Sequence, residues 1–489
     1  MSDINSSPAL KRSFGMREAV TITAGSVIGV GLFTVGSNIV GLMGPSVIFA
    51  TIVALLISVY PALLYAEMGA ALPYAGGTYQ FASVGIGRAA GVLAGWNFII
   101  SLVAVTGGEA LAFSYYFKTL FSAFGVTLPF SDVAIAVVVT AGFIIANVCG
   151  VKIAGRLQNG FMFFFWGVAV IWFLTMIPNI NLPSFVQAPS FLPKEGQMSF
   201  AASVCMIWWC FAGFEACVAM GEEIKYPRIN IPRALFLAPF VVFAVNALFQ
   251  WFLIAITPAE SLAALDAMKA AGILGLPLAL LAAGVAFGGD FSTMNAAIAT
   301  IPRYLFTMAR DGVMPSVFAK TCRFQTPHVA IITLGVLTMA LIATDSLIYI
   351  ASLSLFADLL YYVIGILAAW ALRHRRPDLQ RPYKAPLVAI GAPVSALIYL
   401  YMITQLDTNA FITGVIWCVL GLAIYFYCSR HNAKAETATP TLEQTGALDM
   451  PQDSAEIAAM DREYLVWKVI VAAACILALL LYALPYLCA

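Results

Sequence analysis

Runs of about 20 mostly apolar, uncharged residues recur along this chain, and nothing else in the sequence constrains its fold as strongly. Such a run is long enough to cross a bilayer as a helix. Within the hydrocarbon, every backbone polar group must be satisfied inside its own segment or by packed neighbours. Apolar windows predict spans at 17–41, 46–68, 89–117, 131–149, 157–177, 198–221, 234–256, 273–302, 328–343, 346–371, 387–404 and 409–428. Residues 429–464 are polar and rich in Ala, Thr, Glu and Asp, which reads as a flexible segment. A thirteenth apolar run follows at 466–487. Hydrophobic residues make up 62% of the chain and charged ones 10%, against roughly 25% charged in soluble domains, which excludes an ordinary globular enzyme.

Basic residues orient the spans. With a cytoplasmic N-terminus, all of the 25 lysines and arginines fall on the inner side except Lys118, Lys194 and Lys269. A wrong span count would scramble that asymmetry. The same rule leaves the C-terminus outside. Residues 1–18 are polar and charged, without the pattern of a signal peptide, so the first run is expected to remain as an anchor. A net charge of +1 gives no reason to expect a nucleic-acid partner. His328, His374 and His431 lack metal spacing, and the nine cysteines include no CxxC pair. Cys205, Cys210 and Cys217 therefore read as small core hydrophobes, with no metal site and no cofactor expected.

Two spans carry signs of interruption. The stretch 21-TITAGSVIGVGLFT-34 places Gly25, Gly29 and Gly31 within seven residues of the first span. Gly25 and Gly29 have the spacing of a close helix–helix contact. Three glycines with β-branched residues between them equally favour unwinding, which is tolerated at membrane depth where backbone lines a cavity. Five spans later, 209-WCFAGFEA-216 sets Gly213 beside Glu215, a carboxylate inside an apolar run. Broken helices at matching places in two five-span halves point to an inverted-repeat transporter with a midplane site.

The chain resembles the amino acid–polyamine–organocation superfamily of permeases, whose core has the LeuT-like fold. The resemblance covers about residues 14–430 and rests on GSVIGVGLF in the first span, YAEMGAALPYAGGTYQF at 65–81 and FAGFEACVAMGEEIKYPRINIPRA at 211–234. PRYLFTMARDGVMP at 302–315, TPHVAI at 326–331 and RHRRPDLQRPYKAP at 373–386 complete it. It implies an all-α membrane protein: a cytoplasmic tail at 1–16, a ten-helix 5+5 inverted-repeat core at 17–371 and two further spans within 387–428. A cytoplasmic segment at 429–464 and an extra transmembrane helix at 465–489 follow. It also implies that a substrate carboxylate sits on backbone N–H groups at Val30, Gly31 and Ser26. The substrate amine would meet carbonyls of Val27, Trp209 and Ala212, with Trp209 and Phe211 as aromatic walls. Glu215 matches a residue associated in the family with proton-linked gating; pinning its span to neighbours is the structural alternative.

Acids without basic partners are the chain's own signature. Glu109, Glu215, Asp290 and Asp358 lie within predicted spans, where a charged acid costs about 2.5–3.5 kcal/mol. Asp290 and Asp358 lie roughly 20 Å along their helices from Arg303 and Arg373, at or somewhat outside the midplane. Glu109 lies nearer the outer face, where hydration in a vestibule would account for it. Two readings of the acids stay open. In one, Asp358 and its fellows bind the distal amine of a dibasic amino acid or polyamine. In the other, they serve a coupling ion. A sodium site would use carbonyls near Gly25 and Ile28 with oxygens of Asp290, Ser292 and Thr293, as hard ligands suit a hard cation. Many proton-coupled relatives carry a lysine in the fifth span, where this chain has Phe165.

The expected function is secondary active transport of an amino acid or related amine across the cell membrane, a bacterial inner membrane, by alternating access. A cationic substrate is the preferred expectation. A neutral amino acid permease coupled to H⁺ or Na⁺ is the alternative, and a transporter-like nutrient sensor a remote one. No GxSxG or HExxH motif occurs, so an enzyme is not expected. Expected partners are the small-molecule substrate and the lipid bilayer, with a homodimer left open.

Overall fold

The computed structural model describes residues 14–27, 36–74, 76–149, 151–180, 199–219, 221, 224–256, 282–322, 326–431, 450–451 and 453–487. Those residues are helical throughout apart from turns, loops and one isolated bridge between Phe14 and Ile224. In chain order the helices are α1 (Met16–Val27), α2 (Gly36–Met43), α3 (Val47–Ala71), α4 (Thr78–Gly85), α5 (Arg88–Ala123), α6 (Asp132–Cys149) and α7 (Val151–Met176). There follow α8 (Phe200–Trp209), α9 (Ala216–Ala219), α10 (Pro227–Ile256), α11 (Phe291–Arg310), α12 (His328–Ile342), α13 (Leu347–Arg375), α14 (Val388–Ile403), α15 (Thr408–His431) and α16 (Ser454–Leu487). Among the described residues six helices are long and apolar enough to cross a membrane, and five shorter ones are apolar.

The helices sort into an enclosed centre and an exposed periphery. Helices α5, α10 and α13 are mostly buried by neighbours, while α15 and α16 leave most of their apolar surface exposed. In a chain this apolar, such surface suits lipid. The centre pairs α3 with α10 and α5 with α13, and α4 fills the angle between α5 and α13. The buried polar residues of this centre include Ser101, Glu109, Glu215, Asp290, Ser354 and Asp358.

One departure from regular helix matters below. A π turn at Val285–Asp290 leads into α11. Gly288 lets α7 lie close against it: a Cβ there would stand 2.6 Å from the Cβ of Phe165. Such π turns occur mostly as single turns at functional positions.

The thirteenth apolar run forms α16, which lies along α10 and runs parallel to it. Tyr226 donates to Glu456 at 3.0 Å, and Arg233 pairs with Asp461 at 2.5 Å. Further along, Cys475 meets the Phe240 carbonyl, and the Trp251 indole N–H donates to the Leu481 carbonyl at 2.7 Å. The two helices therefore start on one face and end on the other. The Tyr464 ring also lies against the Arg233 guanidinium and the Lys468 ammonium, so polar contacts concentrate at the starting end.

Candidate functional site

Helix α8 stops at Trp209, and the chain turns through Cys210–Glu215 before α9 resumes at Ala216. Tight i→i−3 bonds replace the helical ladder here. The N–H groups of Cys210, Phe211 and Ala212 donate to the carbonyls of Ile207, Trp208 and Trp209 at 3.0, 2.7 and 3.2 Å. Gly213 then adopts φ +98°, a conformation that L side chains rarely enter, and this is the local reason for glycine. Its N–H leaves the ladder and donates to the Tyr362 hydroxyl of α13 at 3.0 Å. The same hydroxyl donates to the Glu215 carboxyl. One phenol thus accepts from the break's backbone and donates to the break's acid.

A second polar chain runs from the same break to α5. The Trp209 indole N–H donates to Ser354 Oγ at 3.2 Å. Ser354 in turn donates to Asp358 Oδ2 at 3.4 Å, and Ser101 of α5 donates to Asp358 Oδ1 at 2.5 Å. Both oxygens of Asp358 therefore meet hydroxyl donors from the protein itself. The acid that looked unpartnered in the sequence is thus hydrogen-bonded by the protein's own serines. Together the two chains join α8, α9, α5 and α13 around one buried polar seam.

Other expected site residues fall differently. Helix α1 continues regularly through Gly25, Ser26 and Val27, so those three are not the unwound part of the stretch. Ile28, Val30 and Gly31 lie outside the described residues. Trp209 and Glu215 are buried, and Ala212 is half-buried beside them. Phe211 is buried in the same hydrophobic core as Trp209. The Trp209 carbonyl already accepts from Ala212, which leaves one lone pair for any further donor. Cys205, Cys210 and Cys217 are buried free thiols.

The acids of the expected ion site gather elsewhere. Asp290 closes the π turn with Ser292 and Thr293 just beyond it, and all three are buried. The Thr293 hydroxyl donates to the Gly289 carbonyl at 3.3 Å. Glu109 is 2% exposed, so the hydrated-vestibule expectation is corrected: packing of α5 against the π turn removes it from water.

Glu67, near the end of α3, ties together distant parts of the chain. Arg373 grips it in a fork, Nε to Oε1 at 2.9 Å and Nη2 to Oε2 at 2.5 Å. Arg381 reaches Oε1 at 3.2 Å and the Ala385 N–H donates to Oε2 at 2.8 Å. The end of α3 is thereby bound to the connection between α13 and α14. Arg228 bonds Gln380 of the same connection at 3.3 Å.

Tyr362→Phe provides a direct test of the seam. The phenol's removal takes from the buried Glu215 carboxyl and from the Gly213 N–H the hydrogen bonds they make to it, at a cost of about 1–3 kcal/mol for the two bonds together. Thermal unfolding of the purified variant is expected to fall accordingly. A variant as stable as the parent would show that the seam contributes nothing.

Enclosed apolar helices around a broken helix with buried carboxyls define a multi-pass membrane protein of the permease class. The chain belongs to the amino acid permease family: the family model described as "Amino acid permease" matches residues 14–428. Its curated relatives are transporters and permeases, not enzymes. It is 25% identical to a branched-chain amino acid permease of Bacillus subtilis, over 87% of this chain and 95% of that protein. It is 24% identical to a methylthioribose transporter of the same organism, over 88% and 96% of the two chains. A serine/threonine exchanger of that organism is 25% identical over 87% of this chain and 98% of its own.

Proposed function

We propose that this permease moves a neutral amino acid across the cell membrane by alternating access, with its substrate held between the first-span stretch and the break at Cys210–Glu215. The site observation that supports a neutral substrate is the state of Asp358. A carboxylate whose two oxygens already accept from Ser101 and Ser354 needs no ammonium to be tolerated at depth. Glu215 is likewise matched by Tyr362. The relatives' names point the same way, since branched-chain amino acids, serine and threonine carry no charged side chain. The preference for a dibasic amino acid or polyamine therefore gives way to the neutral alternative.

The arrangement that goes with this reading is a 5+5 inverted-repeat core with the N-terminus cytoplasmic and the C-terminus outside. Substrate headgroup contacts would come from Ser26, Val27, Val30 and Gly31 with Trp209, Ala212 and Glu215. Trp209, fixed through Ser354, would wall the side-chain end. Transport against a gradient needs a coupling ion, H⁺ or Na⁺.

Ligand-dependent thermal stability of the purified chain tests the substrate class. A ligand at 100 times its Kd stabilises by about 2.7 kcal/mol, so a true substrate is readable in such a panel. Leucine, valine, serine or threonine is expected to stabilise, while lysine, arginine and putrescine are not. Stabilisation by the cations alone would overturn the neutral reading.

A further inference from the structure

Helix α16 lies wholly beyond residues 14–428, the part of the chain that the family model matches, and the seam around Tyr362 does not use it. Its sequence nonetheless sets one face apart. Tyr464, Trp467, Val471, Cys475, Ala478 and Tyr482 follow one another at steps of three and four residues, the spacing of helices that lie side by side. All six belong to the hydrophobic core or pack against it, and Ala478 is 0% exposed. Val469, Ile470, Ile476 and Leu477, on the other faces, are exposed. The helix that receives the packed face is chiefly α10.

In lipid, apolar contact alone gives one helix little preference for a position along another, because lipid tails are as apolar as leucine. Four polar ties remove that freedom here. Tyr226 meets Glu456, Arg233 meets Asp461, the Cys475 thiol meets the Phe240 carbonyl and the Trp251 indole meets the Leu481 carbonyl. Each joins residues 228 to 235 positions apart, so the two helices keep one register from the first tie to the last. From Tyr226 to Trp251 is roughly 37 Å of helix, more than a hydrocarbon core of about 30 Å. Sliding by one helical turn, about 5.4 Å, would break all four ties together. The tie at Trp251 resists most, since this side chain is 2% exposed and its N–H would be left without water.

The neighbours of α10 decide which part of the molecule α16 belongs to. Helix α10 packs on α1, α3 and α9, the helices beside the break at Cys210–Glu215. Helices α5, α6, α11 and α12 pack on one another as a second group. Packed helices accommodate a relative movement either as one rigid body or by shear along their contact. The ties oppose shear between α10 and α16.

We propose that α16 is a built-in part of the body that carries the break: it travels with α10 and supplies that body's lipid-facing side. The proposal rests on the permease working by alternating access. It displaces the reading of α16 as a fixed rail along which α10 slides.

The test links the two helices in the full chain. Arg233→Cys and Asp461→Cys are combined and joined by a short bismaleimide, with the joined peptides confirmed by mass spectrometry. Counterflow of labelled leucine or serine in proteoliposomes is compared before and after linking, and each single variant is treated alike. The linked protein is expected to exchange to within about threefold of the unlinked one, because a link inside one body restrains no step. A larger loss that the single variants do not show overturns the proposal, and so does folded protein in which no link forms. Absence of counterflow in the unvaried chain strikes the neutral-transporter reading instead, before any link is made. Spin labels on Phe236→Cys and Leu465→Cys, both exposed and outside the ties, decide the matter without transport and with the ion pair intact. A single narrow distance distribution is expected; a broad or two-peaked one overturns the proposal.

Discussion

Replacing Glu67 with alanine is expected to destabilise the protein by about 3–5 kcal/mol, the range for removing one partner of a buried ion pair. The carboxyl is 5% exposed and serves three donors at once: the Arg373 fork, Arg381 and the Ala385 N–H. Without it the Arg381 guanidinium, itself only 8% exposed, has lost its carboxylate partner. Arg373 keeps more access to water, which screens its share of the loss. The contact joins residues 306 positions apart, so the effect should reach the packing of α3 against α13. Thermal unfolding in detergent, with Glu67→Gln as an intermediate case, checks this. A loss below about 1 kcal/mol would contradict a buried role for the cluster.

Gly213→Val is expected to abolish most transport while leaving folded protein to measure. The backbone at Gly213 has φ +98°, which a β-branched residue enters at a cost of about 1–3 kcal/mol. The chain would relieve that strain by rotating the turn, which moves the N–H off Tyr362 and disturbs the hydroxyl's bond to Glu215. A shift of about 1 Å at a binding centre can lower a rate roughly 10²-fold. Uptake per folded molecule should therefore drop by about that factor, with Gly213→Ala between. Uptake within about threefold of the parent would show that the break's shape is not part of the site.

The two variants also show what could be read from sequence. The break at Cys210–Glu215 was legible because glycine beside an intramembrane acid is a local signal, and the structure turns the chain there. The first-span stretch was less so. Its glycines suit unwinding and close packing alike, and the described part, Gly25 to Val27, is regular helix. Glu67 was visible only as a residue near a helix end, since its partners come from the end of α13 and the connection after it, more than 300 residues later. Asp358 shows the converse. An isolated acid in an apolar run invites a cationic ligand. The donors that satisfy it, Ser101 and Ser354, look unremarkable because serine is common in apolar helices. Single residue types announce a cost, while the neighbours that offset it are set by tertiary packing.

Glu109 makes the same point for depth. Its place along the helix suggests the outer face, yet packing of α5 against the π turn buries it. Phe165 could be read as an aromatic in an apolar span. Its pressure on Gly288, and hence its place over the π turn, needed the packed structure.

Counterflow in proteoliposomes loaded with unlabelled amino acid tests the central claim most directly, because it requires no assumption about the coupling ion. The account predicts saturable uptake of labelled leucine or serine by the full chain, competed by other neutral amino acids and not by lysine, arginine or putrescine. Uptake confined to the cationic compounds, or exchange of no amino acid at all, would contradict it.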